Sequence, residues 1–300
     1  MANVLGIIRG KKGESGTKLF INDVESNKKE VYATSFGVSG WGKIMNSPIT
    51  ESYKLIVYKN IVYAISISGK VYKLTKHKWE LISETPYVPQ SGFSLVIYNN
   101  ELHMLGGSYP NETKHYAWNG SSWRSISTLP YTFNANISSA VVFNNEIHIL
   151  GSLVVGEMTK HYAWNGSSWR SVSTLPYKYI GGATVVFNNK IHILGNFTDS
   201  NTTRHYEWNG SSWSSATSLP FSTWTIYAVA SSSYIYIFGG YDKSNYKNLY
   251  NYYIFDGTSW TKRQDIRLEN PQSYLLNNGY LAYRNAIDKL TTFYTLDMFN

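Results

Sequence analysis

Hydrophobic and polar residues alternate with a period of two in short runs along most of the chain, and no stretch shows the spacing of a helical face. In residues 140–177 the run "AVVF" is followed by Asn144-Asn145 and "EIHIL", then by "KHYAW", Asn165-Gly166 and "SWRSVS". Asn and Gly accept the positive φ of a tight turn, so this stretch reads as two hairpins, four antiparallel strands in all.

The same pattern recurs. Residues 95–131, 140–177 and 184–221 align over their whole length and contain "KHYAWNGSSWRSISTLPY", "KHYAWNGSSWRSVSTLPY" and "RHYEWNGSSWSSATSLPF". Trp79, Trp123, Trp169, Trp213 and Trp260 follow one another at 44 to 47 residues. Seven residues before them stand Tyr72, Tyr116, Tyr162, Tyr206 and Tyr253, and seven residues after the first four stand Pro86, Pro130, Pro176 and Pro220. A repeat of this length with four antiparallel strands is a propeller blade. The expected fold is all-β, a single β-propeller over residues 1–300.

First-hairpin turns near Asn22-Asp23, Lys59-Asn60, Asn99-Asn100, Asn144-Asn145, Asn188-Asn189, Ser231–Ser233 and Asn277-Asn278 give seven units. Their bounds are about 11–50, 51–90, 91–135, 136–180, 181–224, 225–269 and 270–300. The last unit lacks a fourth strand, and residues 3–10 form a spare one. The N-terminal strand is therefore expected to complete the last blade, because closure removes an open sheet edge. The first unit is one strand short, so six blades and a flap are the alternative.

Gly106-Gly107 and Gly239-Gly240 close the second strand of their units, and the Tyr, Trp and Pro spacing follows. In this the chain resembles the kelch repeat, shared with the central domain of galactose-oxidase-like proteins, over about residues 52–267. Gly151-Ser152, Gly195-Asn196 and Ser68-Gly69 depart from the double glycine. Galactose-oxidase chemistry needs a Cys cross-linked to a copper-bound Tyr, and the chain has no Cys, which excludes it along with every disulfide. "FDGTSW" at 255–260 resembles the sialidase turn S-x-D-x-G-x-T-W, yet it aligns with "WNGSSW" and reads as the ordinary blade hairpin.

Composition narrows the function. Charged residues are only 15% and hydrophobic ones 43%, which is a folded composition. Aromatics reach 16%, which suits strands and contact surfaces. The net charge of +8 favours acidic partners. Its Lys and Arg are scattered, with no basic stripe, so no nucleic-acid partner is expected. No apolar run approaches membrane-spanning length and Val4–Ile8 is too short for a secretion signal, so no membrane insertion is expected. His103, His148 and His192 occupy one place in successive units, and His115, His161 and His205 another. Equivalent places on neighbouring blades are too far apart to share a metal ion, so no metal and no cofactor are expected and the histidines read as structural or outward-facing. No paired carboxylates or nucleophile motif stands out, and the chain reads as no enzyme.

Binding is expected where the copies differ. The hairpin turns are monotonous, whereas the loops between strands two and three vary: "GGSYPNETK", "GSLVVGEMTK", "GNFTDSNTTR", "GGYDKSNYKN". The linkers between units vary too. Candidate ligand-binding residues are Phe133, Tyr179 and Trp224 in the linkers, with Tyr109, Asn111, Tyr241, Asp242 and Lys243 in the loops. Aromatic rings stack on sugar C–H faces, and amides and carboxylates pair with hydroxyls. Tyr87, Tyr131, Tyr177 and Phe221, directly after the repeated Pro, read as packing residues. An alternative, repeated site is Trp118, Trp164 and Trp208, which would act multivalently. The expected function is a non-catalytic recognition module for a cell-surface glycan or teichoic-acid-like polymer. Alternatives are an assembly component contacting tail or surface proteins and a polysaccharide hydrolase or lyase. The Asn-, Lys-, Tyr- and Ile-rich composition resembles low-GC Gram-positive bacteria or their phages. Kelch-like propellers occur in phage tail receptor-binding proteins, which implies a virion tail or cell-surface location, with the cytoplasm as the alternative.

Overall fold

The structure is a computed structural model. It describes residues 6–8, 18–20, 45–46, 49, 51–59, 61–75, 78–110, 113–133, 139–152, 154–195, 203–222, 226–238, 241–242, 247–248, 252–263, 271–277, 280–285 and 290–295. Among them every regular element is a strand. No helix there is long and apolar enough to cross a membrane. The strand order is the up-and-down order of a β-propeller, as the periodicity predicts.

The chain divides into two compact units, one of residues 1–65, 72–82 and 269–300, the other of 66–71 and 83–268. In the second unit four blades follow one another at 93–125, 139–174, 183–215 and 227–263, each a meander of four strands. Their first strands, Phe93–Tyr98, Ser139–Phe143, Ala183–Phe187 and Tyr227–Ala230, lie side by side. The first unit contains most of a further blade, 53–84, whose first strand Tyr53–Tyr58 lies beside the strand Pro271–Asn277.

The expected count of seven blades, with six as its alternative, is corrected. Among the described residues five four-stranded blades form from consecutive strands, and a further, composite four-stranded sheet has its first strand beside that of the blade 53–84. That sheet joins Pro271–Asn277, Tyr280–Asn285 and Leu290–Thr295 to Met45–Asn46, with Leu290 opposite Asn46 and Thr291 opposite Met45. The N-terminal strand does not complete it. Gly6–Ile8 pairs instead with Lys18–Phe20. The expected unit 11–50 thus forms no blade among the described residues, because its strands are divided between a local hairpin and the composite sheet. The edge of the last three strands is covered, as edge physics demands, by a strand from the wrong place in the expected order.

The turns follow the residue chemistry. Asn99 and Asn100, Asn144 and Asn145, and Asn188 and Asn189 all have φ between +47° and +59°, the type I′ geometry that the pairs predict. The Asn-Gly turns are longer than two residues. Trp164 pairs with Trp169, leaving Asn165–Ser168 as a four-residue loop. Asn165 Oδ1 accepts from the backbone N of Ser167 and of Ser168, both at 2.9 Å. Asn119 and Asn209 do the same in their blades. Asp256 replaces them in the fifth blade and accepts from Thr258 and Ser259, bonds that hold its carboxyl well below the usual range. "FDGTSW" is therefore a blade hairpin.

Glycine enforces one close approach. Gly106 and Gly151, at φ +70° and +73°, end the second strands, and a Cβ on either would meet the backbone oxygen and ring of Phe133 or Tyr179 in the following linker. Gly151→Ala therefore meets both a disfavoured φ and a backbone that cannot swing away. Urea denaturation is expected to show a loss of at least about 2 kcal/mol. A loss under about 0.5 kcal/mol would mean that the linker is free to move.

Candidate ligand-binding face

Two ends of each blade must be distinguished. At one end the turns of consecutive blades nest: Gly166 sits over Tyr98 and Asn99, Gly210 over Phe143 and Asn144, and Gly257 over Phe187 and Asn188. Here the second hairpin of each of these three blades meets the first hairpin of the blade before it, so sequence uniformity reflects packing. The other end holds the variable loops and linkers.

The linker aromatics are core. Phe133 and Tyr179 are 0% exposed. Burial pushes the Tyr179 hydroxyl up to about 12, and it bonds Thr184 Oγ1 at 2.8 Å. Their rings are closed off by Gly106 and Gly151 and present no face to a ligand. The packing reading of the residues after the repeated Pro holds. Tyr87 donates to the Gly106 carbonyl at 2.5 Å and Tyr177 to the Gly195 carbonyl at 2.8 Å. The rings of Tyr87, Tyr131, Tyr177 and Phe221 pack on Tyr116, Tyr162, Tyr206 and Tyr253 of the next blade at 5.0–5.7 Å.

Tyr109 is different. Its side chain is 81% exposed, the most open aromatic among the described residues. The loop that presents it is fastened to the preceding linker: Ser108 N donates to Pro89 O at 3.1 Å, and Ser108 Oγ to Ser91 O at 2.9 Å. The Ser91 and Ser108 hydroxyls lie 2.9 Å apart and exposed. The result is an open phenol ring on a braced loop, next in sequence to Ser108. In the next blade the equivalent loop is braced by Ser152 Oγ, which donates to Thr132 O at 2.9 Å, and it exposes Val154 and Val155. Tyr241 and Asp242 form a small ribbon with Lys247 and Asn248, an excursion of the loop from its blade. Trp224, Asn111 and Lys243 lie outside the described residues.

The repeated tryptophans Trp118, Trp164 and Trp208 are 1%, 4% and 3% exposed. Trp164 stands edge-on to His115 and Trp208 to His161, in each case a histidine of the preceding blade. The repeated site thus lies within the seams between blades.

Of the two expected readings of the six repeated histidines, structural and outward-facing, burial supports the structural one; their pairing was not foreseen. They do not face outward: all six are buried, in pairs. His103 Nδ1 lies 2.9 Å from His115 Nε2, His148 Nδ1 2.8 Å from His161 Nε2, and His192 Nδ1 2.9 Å from His205 Nε2. The pairs are diagonal neighbours on strands two and three. Ala117 and Ala163 stand opposite His103 and His148 and leave room for the rings. The signal was available, because the two histidines of each unit stand 12 or 13 residues apart across one hairpin. The chain of bonds then crosses the seam. His161 Nδ1 meets Ser173 Oγ at 3.0 Å, which accepts from Trp213 Nε1 of the next blade at 3.0 Å. Trp169 reaches Ser127 beside His115 in the same way. Burial holds the histidines low, His103, His148 and His205 at about 4 and His115 and His161 at about 3.

The solved structure of YjhT is similar to this chain, with a TM-score of 0.66 at 15% identity, covering 82% of this chain and 94% of that one. No family model matches the sequence, and no curated protein matches it. A likeness at this identity is one of architecture, and with the strand order it establishes the fold as a β-propeller.

Proposed function

We propose that the chain is a non-catalytic recognition module that binds a carbohydrate-bearing surface through its variable loops. The observation that carries this reading is Tyr109, an 81% exposed residue on a loop braced by the Ser91 and Ser108 contacts. Ring stacking with flanking hydroxyls is the chemistry of sugar recognition. The net charge of +8 supports an anionic polymer of the teichoic-acid kind as the ligand. A kelch-type adhesin in a phage tail or on a cell surface fits this reading. A second reading, docking of a tail or surface protein, draws on the exposed Val154 and Val155 of the neighbouring loop.

Titration of purified cell-wall polysaccharide and teichoic acid into the full chain tests the proposal. Saturable binding is expected, weakened at least tenfold by Tyr109→Ala with the fold intact. Release of reducing sugar, or binding to tail or surface proteins with none to polysaccharide, would overturn it.

A further inference from the structure

The three buried histidine pairs differ at one end. In the His148–His161 pair the far end is the Ser173 hydroxyl, which accepts from Trp213 and is free to turn its own proton toward His161 Nδ1. Two ring protons, one on each Nε2, then leave neither the central contact nor the Ser173 contact without a donor, although His148 Nε2 itself has no hydrogen-bond partner among the described residues. The His103–His115 pair ends likewise on a hydroxyl, that of Ser127. The His192–His205 pair ends on carbonyl oxygens at both sides. His192 Nε2 faces Phe187 O at 3.2 Å, and His205 Nδ1 faces Thr217 O at 2.9 Å. A carbonyl only accepts, so each end calls for an N–H, and the central N···N contact calls for another. A neutral pair carries two ring protons for these three positions. One contact must then lack its proton: either a nitrogen lone pair faces a carbonyl oxygen, or two lone pairs face each other across the 2.9 Å N···N contact.

We infer that the His192–His205 pair is a buried proton-binding site that takes up a third proton on mild acidification, before either sister pair does. The surroundings agree. Glu207 stands directly opposite His192, where the sister pairs have Ala117 and Ala163. Its carboxylate bonds Lys190 Nζ at 2.5 Å and Ser214 Oγ at 3.5 Å, and its charge favours protonation of both rings, against burial and against Lys190. From the next blade the groups that face His205 are the uncharged rings of Phe255 and Trp260. The sister pairs feel Arg124 and Arg170, which oppose a proton, alongside Glu101 and Glu146. Thr217 sits where the sisters have serine, but its Oγ1 is turned away to Thr258 O at 2.7 Å, which leaves the carbonyl to meet the ring.

Long-range proton–nitrogen correlation spectra of the ¹⁵N-labelled full chain, recorded from pH 7.5 to 4, read the ring protons directly. One pair is expected to reach the doubly protonated pattern at least one pH unit above the other two, a tenfold higher proton affinity. Glu207→Ala, which installs the residue found in the sister blades, is expected to lower the midpoint of that pair alone. Three pairs titrating within one unit of each other would overturn the inference. So would an early pair that Glu207→Ala leaves unmoved.

Discussion

Trp164→Ala is expected to lower the unfolding free energy by about 3–5 kcal/mol, because it empties a large site in a close-packed seam. Trp164 is 4% exposed, stands edge-on to His115 at 5.6 Å and packs on Trp169 at the same distance. It belongs to the cluster of Val96, Leu105, Phe133, Ile147 and Ile149 that joins two blades. Removing it would also open the Trp169–Ser127–His115 bonds to water. Against a total stability of about 5–15 kcal/mol, this is close to unfolding the seam. Urea denaturation of Trp164→Ala beside Tyr109→Ala separates masonry from site. The tyrosine variant should lie within about 0.5 kcal/mol of the parent. Should Trp164→Ala cost under about 1 kcal/mol while abolishing polysaccharide binding, the repeated tryptophans would be the site and Tyr109 would not.

Acid is expected to destabilise the chain well above the pH at which carboxylates titrate. In the two pairs that end on serine, His103 and His148 are held at about 4 and His115 and His161 at about 3, by burial first. Unfolded, each would titrate near 6.5. Between those values the unfolded chain binds more protons, so stability rises with pH there. It is at its full value above about 6.5 and is lost as pH falls toward 4. One histidine held at about 4 costs roughly 3 kcal/mol at pH 4. The pairs share protons, so their costs do not simply add. Denaturation midpoints at pH 7.5, 5.5 and 4.5 should therefore fall steadily. A flat profile across that range would show that the pairs are not buried neutral. His161→Gln keeps a hydrogen-bonding side chain and removes the titration, so part of the fall should vanish with it.

Much of the blade was legible in the chain. Period-2 runs, paired asparagines and a tryptophan every 44 to 47 residues report local geometry, because turn type and strand face depend on neighbours a few residues apart. The hairpin turns confirm this residue by residue. Closure was less legible. Met45–Asn46 and Leu290–Thr295 lie far apart in the chain, with nothing local to choose their pairing. Their pairing depends on which edge is open in the folded chain.

The site divides the same way. Phe133, Tyr179 and Tyr109 are all aromatic residues in variable segments, and nothing local to them separates plug from platform. The approach of Gly106 and Gly151 buries the first two, and the Ser91–Ser108 brace lifts the third into solvent. The histidine pairs are not legible from the equivalence of positions between blades, because each bond forms across one hairpin within a blade. Strand period, turn chemistry and the exclusion of thiol chemistry were thus determined by the amino-acid order alone, since they are short-range or compositional. Blade closure, ring burial and the third-proton position came from contacts between residues 12 to more than 200 apart, and only the folded chain brings those together.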